Sequence, residues 1–89
     1  MAKKILIIDD DQNLVELLQA HLENQGYTVT AAFDGLQGTT MAKEDPPDVV
    51  LLDLHLPAGE GFQVLRWLRG MQESVAIPVI VMTGYDDKD

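Results

Sequence analysis

The sequence predicts an α/β domain in which a parallel sheet is covered by helices on both faces. Short apolar runs alternate with stretches of helical spacing in the order β-α-β-α-β-α-β. The connections between them are short, and two of the runs are almost continuously apolar: Val49 to Leu52, as a strand covered on both faces must be, and Ile77 to Met82, the last strand. At 89 residues the chain is expected to form one domain with one core.

Each element has its own signal. Residues 4 to 8 form a β-rich apolar run, and Leu14, Val15, Leu18 and Leu22 then recur at helical spacing up to Gly26, a helix stop. Tyr27-Thr28-Val29-Thr30-Ala31 alternates apolar with polar side chains, which suits a strand with one wetter face at or near a sheet edge. Asp34-Gly35 opens a short helix running to about Glu44, which Pro46-Pro47-Asp48 ends. Val49 to Leu52 is the predicted central strand. After Pro57 and the small residues Ala58, Gly59 and Gly61, a third helix carries Phe62, Val64, Leu65, Trp67, Leu68 and Met71. The last strand, Ile77 to Met82, leads to Thr83-Gly84.

Composition removes several classes of function. Six basic against fifteen acidic residues give a net charge of -9, which disfavours nucleic acid and anionic membranes as direct partners, and otherwise serves solubility. No cysteine is present, so disulfides and thiolate metal sites are excluded, and a reducing cytoplasm is the expected compartment. No segment is long and apolar enough to span a bilayer, and the run after Lys3-Lys4 stops at Asp9, too early for a signal peptide. The sequence lacks a Gly-x-Gly-x-x-Gly loop after the first strand, a Gly-x-x-x-x-Gly-Lys phosphate cradle and a His-Glu-x-x-His zinc motif. Gly59-Glu60-Gly61 reads as a tight turn and helix start.

The chemistry is concentrated where two apolar runs end in acid. Ile5 to Ile8 runs into Asp9-Asp10-Asp11, and Val49 to Leu52 runs into Asp53. On neighbouring parallel strands these carboxylates meet at the carboxyl ends, where ligands bind in such sheets. Like charges that close either raise a carboxyl pKa or need a cation, and an all-oxygen donor set favours Mg²⁺. A carboxylate can also attack phosphorus and carry the phosphoryl group as an acyl phosphate. Asp53 is the candidate nucleophile, with a divalent ion held by Asp9 and Asp10 and the Thr83 hydroxyl touching the transferred group.

Ile7-Ile8-Asp9-Asp10-Asp11, Leu51-Leu52-Asp53-Leu54-His55-Leu56-Pro57 followed by Gly61, and Val81-Met82-Thr83-Gly84 together resemble successive signatures of bacterial response-regulator receiver domains. The resemblance spans essentially residues 1–89. It implies a flavodoxin-like, doubly wound parallel sheet in strand order 2-1-3-4, with Asp53 as phosphoacceptor for a histidine kinase or phosphotransfer protein. It also implies Mg²⁺ bound by Asp10, Asp53 and the backbone carbonyl of His55, with Asp9 assisting through water and Thr83 as the switch hydroxyl. Any enzymatic activity is then at most self-phosphorylation and autodephosphorylation at Asp53.

The family continues through a further helix, strand and helix, the strand ending in a lysine that pairs with the phosphoryl group. By that measure the chain is a partial receiver domain, and its phosphorylation is expected to be slow or unstable. Lys3, Lys4 and Lys43 are remote from the strand ends, which leaves Lys88 as the nearby cation. The outer edge of the fourth strand, which leaves Val79, Ile80 and Val81 half covered, is expected to drive homodimerisation or an exchange of elements.

Two other functions fit parts of the pattern. Ile8-Asp9-Asp10-Asp11 also matches the Asp-x-Asp of haloacid-dehalogenase-like phosphatases, with Asp9 as nucleophile. A dimerising interaction module that is not phosphorylated is the other. Simpler roles are expected elsewhere: Asp11 as a helix cap, His21 and the His55 side chain at the surface, and Phe62, Trp67 and Met71 in core packing.

Overall fold

A computed structural model describes residues 2–72 and 74–82. The elements are β1 (Lys4–Ile8), α1 (Gln12–Asn24), β2 (Thr28–Ala32), α2 (Gly35–Glu44), β3 (Val49–Asp53), a single 3-10 turn (Pro57–Gly59), α3 (Glu60–Gly70) and β4 (Val79–Met82). The strands form one parallel sheet in the order β2-β1-β3-β4, as the sequence predicts. Thr83, Gly84 and Lys88 lie outside the described residues.

Alternation along the strands divides the core in two. Leu6, Ile8, Ala32, Val50 and Leu52 pack with Ala42 of α2 and with Val64 and Leu68 of α3 on one face. Ile5, Ile7 and Val29 pack with Val15 of α1 on the other, backed by Leu18, Leu22 and Leu51. The inner strands β1 and β3 carry most of the burial, and Ile7, Ile8, Val50 and Leu52 have no exposed surface. α2 sits close to β1 because Gly38 has no side chain: a Cβ there would lie 2.6 Å from Ile8 Cδ1.

The helix caps follow from short polar side chains. Asp11 accepts a hydrogen bond from Leu14 N, and Asp34 accepts one from Gln37 N, each satisfying a donor the helix cannot. Gly26, with φ of 99°, lets the chain reverse after α1, and Tyr27 N bonds back to Leu22 O, so β2 begins at Thr28 rather than at Tyr27.

Three expectations are corrected. Phe62 is 56% exposed and does not join the core, whereas Trp67 packs against it and Met71 is half-buried. Gly61, Val64 and Leu68 form the buried stripe of α3, and Phe62, one residue and about 100° from Gly61, is turned outward. Leu14 is likewise 37% exposed because Val15 takes the buried position at the start of α1. The last strand starts at Val79, because Ile77 N is committed to Ser74 O and Pro78 has no N–H; its carbonyl instead accepts from Val50 N. Ile80 and Val81 of that strand are 55% and 37% exposed, which agrees with the half-covered outer edge expected of it.

Candidate metal and phosphate site

Asp9 and Asp53 face each other because β1 and β3 are adjacent, parallel and in register, with Ile8 opposite Leu52. Asp53 is the last residue of β3, and Asp9 is the first residue beyond β1. The backbone of Asp9 is still fixed by the sheet, its N–H donating to Ala32 O at 3.1 Å. Asp10 follows at the surface. Carboxylate oxygens of Asp9, Asp10 and Asp53 lie within 4.8 Å of one another.

The two buried acids are held by the same local device. Asp9 Oδ1 accepts from Asp11 N at 2.9 Å, and Asp53 Oδ1 accepts from His55 N at 2.8 Å. Each carboxylate thus folds onto the amide two residues ahead, the Asx turn that aspartate forms at strand ends. One oxygen of each group is thereby held by a backbone amide. His55 is anchored through its backbone while its imidazole is exposed, as expected.

Close packing fixes the loop beyond Asp53. A Cβ on Gly61 would stand 2.5 Å from both Asp53 O and Leu54 Cα, so only glycine lets the start of α3 press against the end of β3. Ala58 and Gly59 have φ of 59° and 74°, and Leu56 is buried beneath the turn. This glycine contact was not legible in the sequence beyond the turn it marks.

The charges are not balanced by protein cations among the described residues. The ion pair of Lys4 with Asp45 lies at the opposite end of the sheet. Burial pushes the Asp9 carboxyl above its usual range, the Asp11 amide pulls it down, and the charges of Asp53, Asp10 and Asp11 push it up again. Oxygens this close suit a hard cation: ligands on opposite sides of a magnesium ion are about 4.2 Å apart, at about 2.1 Å per bond. A 280 Å³ groove between α2 and α3 is lined by Leu36, Glu60 and Trp67 rather than by these acids. The site is therefore ion-sized.

Residues 5–89 match the family model described as "Response regulator receiver domain". Over 88 residues the chain is 39% identical to the alkaline phosphatase synthesis transcriptional regulatory protein PhoP of Bacillus subtilis (strain 168), covering 99% of this chain and 36% of that protein. The chain thus spans about a third of the length of that relative. The N-terminal domain of a response regulator receiver protein from Methanoculleus marisnigri JR1 superposes with a TM-score of 0.90 at 28% identity, over 99% of this chain and 72% of that one. The receiver domain of a sensor histidine kinase from Pseudomonas aeruginosa PAO1, solved with a magnesium ion coordinated in its active site cleft, gives a TM-score of 0.86 at 29% identity, covering 93% and 68%. These similarities support the receiver fold and lend nothing to the phosphatase or the unphosphorylated-module readings.

Proposed function

Because the chain belongs to the response-regulator receiver domain family, we propose that it accepts a phosphoryl group on Asp53 from a histidine kinase or a histidine phosphotransfer protein. The observation that carries this reading is the convergence of Asp9, Asp10 and Asp53 within 4.8 Å at the carboxyl ends of β1 and β3. The donor's P–N bond breaks as a P–O bond to Asp53 forms, and the electron pair of the broken bond returns to the imidazole nitrogen. Asp53 Oδ1 stays with His55 N, which leaves Oδ2 to face phosphorus.

Asp9, Asp10, Asp53 and the backbone carbonyl of His55 are the groups that would hold Mg²⁺, which shields the charge of the phosphoryl oxygens during transfer. Asp9, buried with its Oδ1 held by the Asp11 amide, acts through a water. Thr83, beyond the described residues, completes the proposal as the hydroxyl that turns toward the phosphoryl group. No described helix is long and apolar enough to cross a membrane, and the charge of -9 supports a segment that does not itself bind nucleic acid.

Intact mass measurement after incubation with a small acyl phosphate donor and Mg²⁺ tests the assignment. Slow addition of one phosphoryl group is expected, lost on omitting Mg²⁺ and lost in Asp53→Asn. Persistence in Asp53→Asn with loss in Asp9→Asn overturns it.

A second reading concerns assembly. The half-exposed Ile80 and Val81 of β4 support self-association of this chain along that edge. Sedimentation is expected to show a dimer at micromolar concentration, and a well-folded monomer contradicts this.

A further inference from the structure

We propose that Glu60 is a positioning residue for the acidic site, tying together the two loops that hold its opposite walls. The inference rests on the phosphoacceptor reading of Asp53. Glu60 lies in the first turn of α3, yet its side chain serves a different helix: Oε1 accepts from Gly35 N at 2.8 Å, the first residue of α2. The approach is possible because residue 35 is glycine, where a Cβ would lie 3.0 Å from Glu60 Cβ.

The amino end of α2 is otherwise capped from within its own segment. Gln37 N donates to Asp34 Oδ1 at 2.7 Å, and Phe33 N donates to Gln37 Oε1 at 2.9 Å. Glu60 therefore supplies the cap that crosses between elements, and the positive end of the α2 dipole favours its carboxylate. On one side, α2 follows Ala32, whose carbonyl fixes Asp9 N. On the other, Glu60 adjoins Gly61, which is pressed against the backbone of Asp53 and Leu54. A path runs from Asp9 by hydrogen bond to Ala32, along the chain to Gly35, by hydrogen bond to Glu60, along the chain to Gly61, and by packing to Asp53, whose carboxylate holds His55 N. Without the link, the start of α3 keeps its packing on β3 but loses its tie to the amino end of α2, and the spacing between the Asp53 wall and the Asp9 wall loosens.

The test compares Glu60→Ala, Glu60→Gln and Asp34→Ala in the 89-residue chain. Asp34→Ala removes a cap from the same helix end but leaves the link to α3 intact, so it reports what a merely structural loss does. Mg²⁺ affinity by calorimetry and amide hydrogen exchange at His55 in the metal-free chain are the two measurements. Glu60→Ala is expected to weaken Mg²⁺ binding about tenfold and to speed exchange at His55, as loss of a partner behind a metal ligand does. Glu60→Gln keeps an acceptor for Gly35 N and is expected to restore both. Asp34→Ala is expected to lower stability while leaving both near the parent values.

Unchanged Mg²⁺ affinity in Glu60→Ala, or an equal loss in Asp34→Ala, overturns the proposal while the phosphoacceptor reading stands. If the parent chain binds no Mg²⁺, that reading fails instead, and exchange decides the role of Glu60. Faster exchange at His55 in Glu60→Ala but not in Asp34→Ala then upholds positioning, and equal rates overturn it.

Discussion

Carboxylates crowd both ends of the sheet, but they are treated in opposite ways. At the amino end, Lys4 N donates to Asp48 Oδ2 at 2.7 Å, Asp48 N returns a bond to Lys4 O at 2.8 Å, and the Lys4 ammonium pairs with Asp45. At the carboxyl end, Asp9, Asp10 and Asp53 meet, with backbone amides donating to Asp9 and Asp53 and no protein cation paired with any of the three among the described residues. The first arrangement is complete in itself and joins β1 to the end of α2 and the start of β3. The second is stable to the extent that something beyond the described residues supplies positive charge, which is how a structural end and a binding end differ.

The largest expected effect comes from packing at the binding end. Gly61→Ala drives a methyl group into backbone atoms of Asp53 and Leu54, which no side-chain rotation relieves, so a loss of about 1–3 kcal/mol or more is expected in denaturant unfolding. Gly70→Ala, where nothing lies within 4 Å of the added carbon, is the control and is expected to be neutral or stabilising. Equal behaviour of the two would remove the idea that the Asp53 loop is pinned by Gly61.

Next come substitutions whose sign should differ between the two ends. Asp9→Asn keeps an acceptor for Asp11 N but removes a buried charge that faces Asp10 and Asp53. It is expected to raise metal-free stability, on the order of 1 kcal/mol, and to abolish the rise in Tm that Mg²⁺ gives the parent. Asp48→Ala, at the paired end, is expected to lower stability by about 1 kcal/mol with or without Mg²⁺. Shifts of the same sign would erase the contrast.

The pH dependence sharpens it further. Because burial and like charge raise the Asp9 carboxyl in the folded state, the folded chain holds that proton more tightly than the unfolded one. This contribution is present at low pH and is lost as pH rises through the raised value. Thermal unfolding without metal should therefore weaken across that window, while the protection given by Mg²⁺ grows, since the ion competes with the proton. A metal effect that shrinks with rising pH would contradict the assignment of Asp9 to the site.

The sequence made the sheet legible because parallel, doubly covered strands must be apolar and because acids at their carboxyl ends have one place to go. Asp9, Asp10 and Asp53 were recoverable from that rule alone, and Asp11 and Asp34 from the chemistry of helix caps. Phe62 was misplaced because helical spacing fixes a stripe only to within one position, and only the docked helix shows that Gly61 and Val64 take the buried line. The reach of Glu60 to Gly35 had no local signal, since it depends on how closely α2 and α3 approach across 25 residues of chain.

The smallest effect compares two caps of the same type, one at the binding end. Asp34→Ala removes the acceptor for Gln37 N, which costs about 1 kcal/mol for an N-cap of this kind. Asp11→Ala removes the acceptor for Leu14 N, but it also deletes a negative charge that presses on Asp9. The two contributions oppose each other, so in the absence of metal Asp11→Ala should be the milder substitution. Saturating Mg²⁺ neutralises the neighbourhood of Asp9, the compensating gain disappears, and the costs of the two substitutions should converge. Paired melts with and without Mg²⁺ measure this, and a gap that stays constant on adding the ion would mean that Asp11 acts as a cap alone.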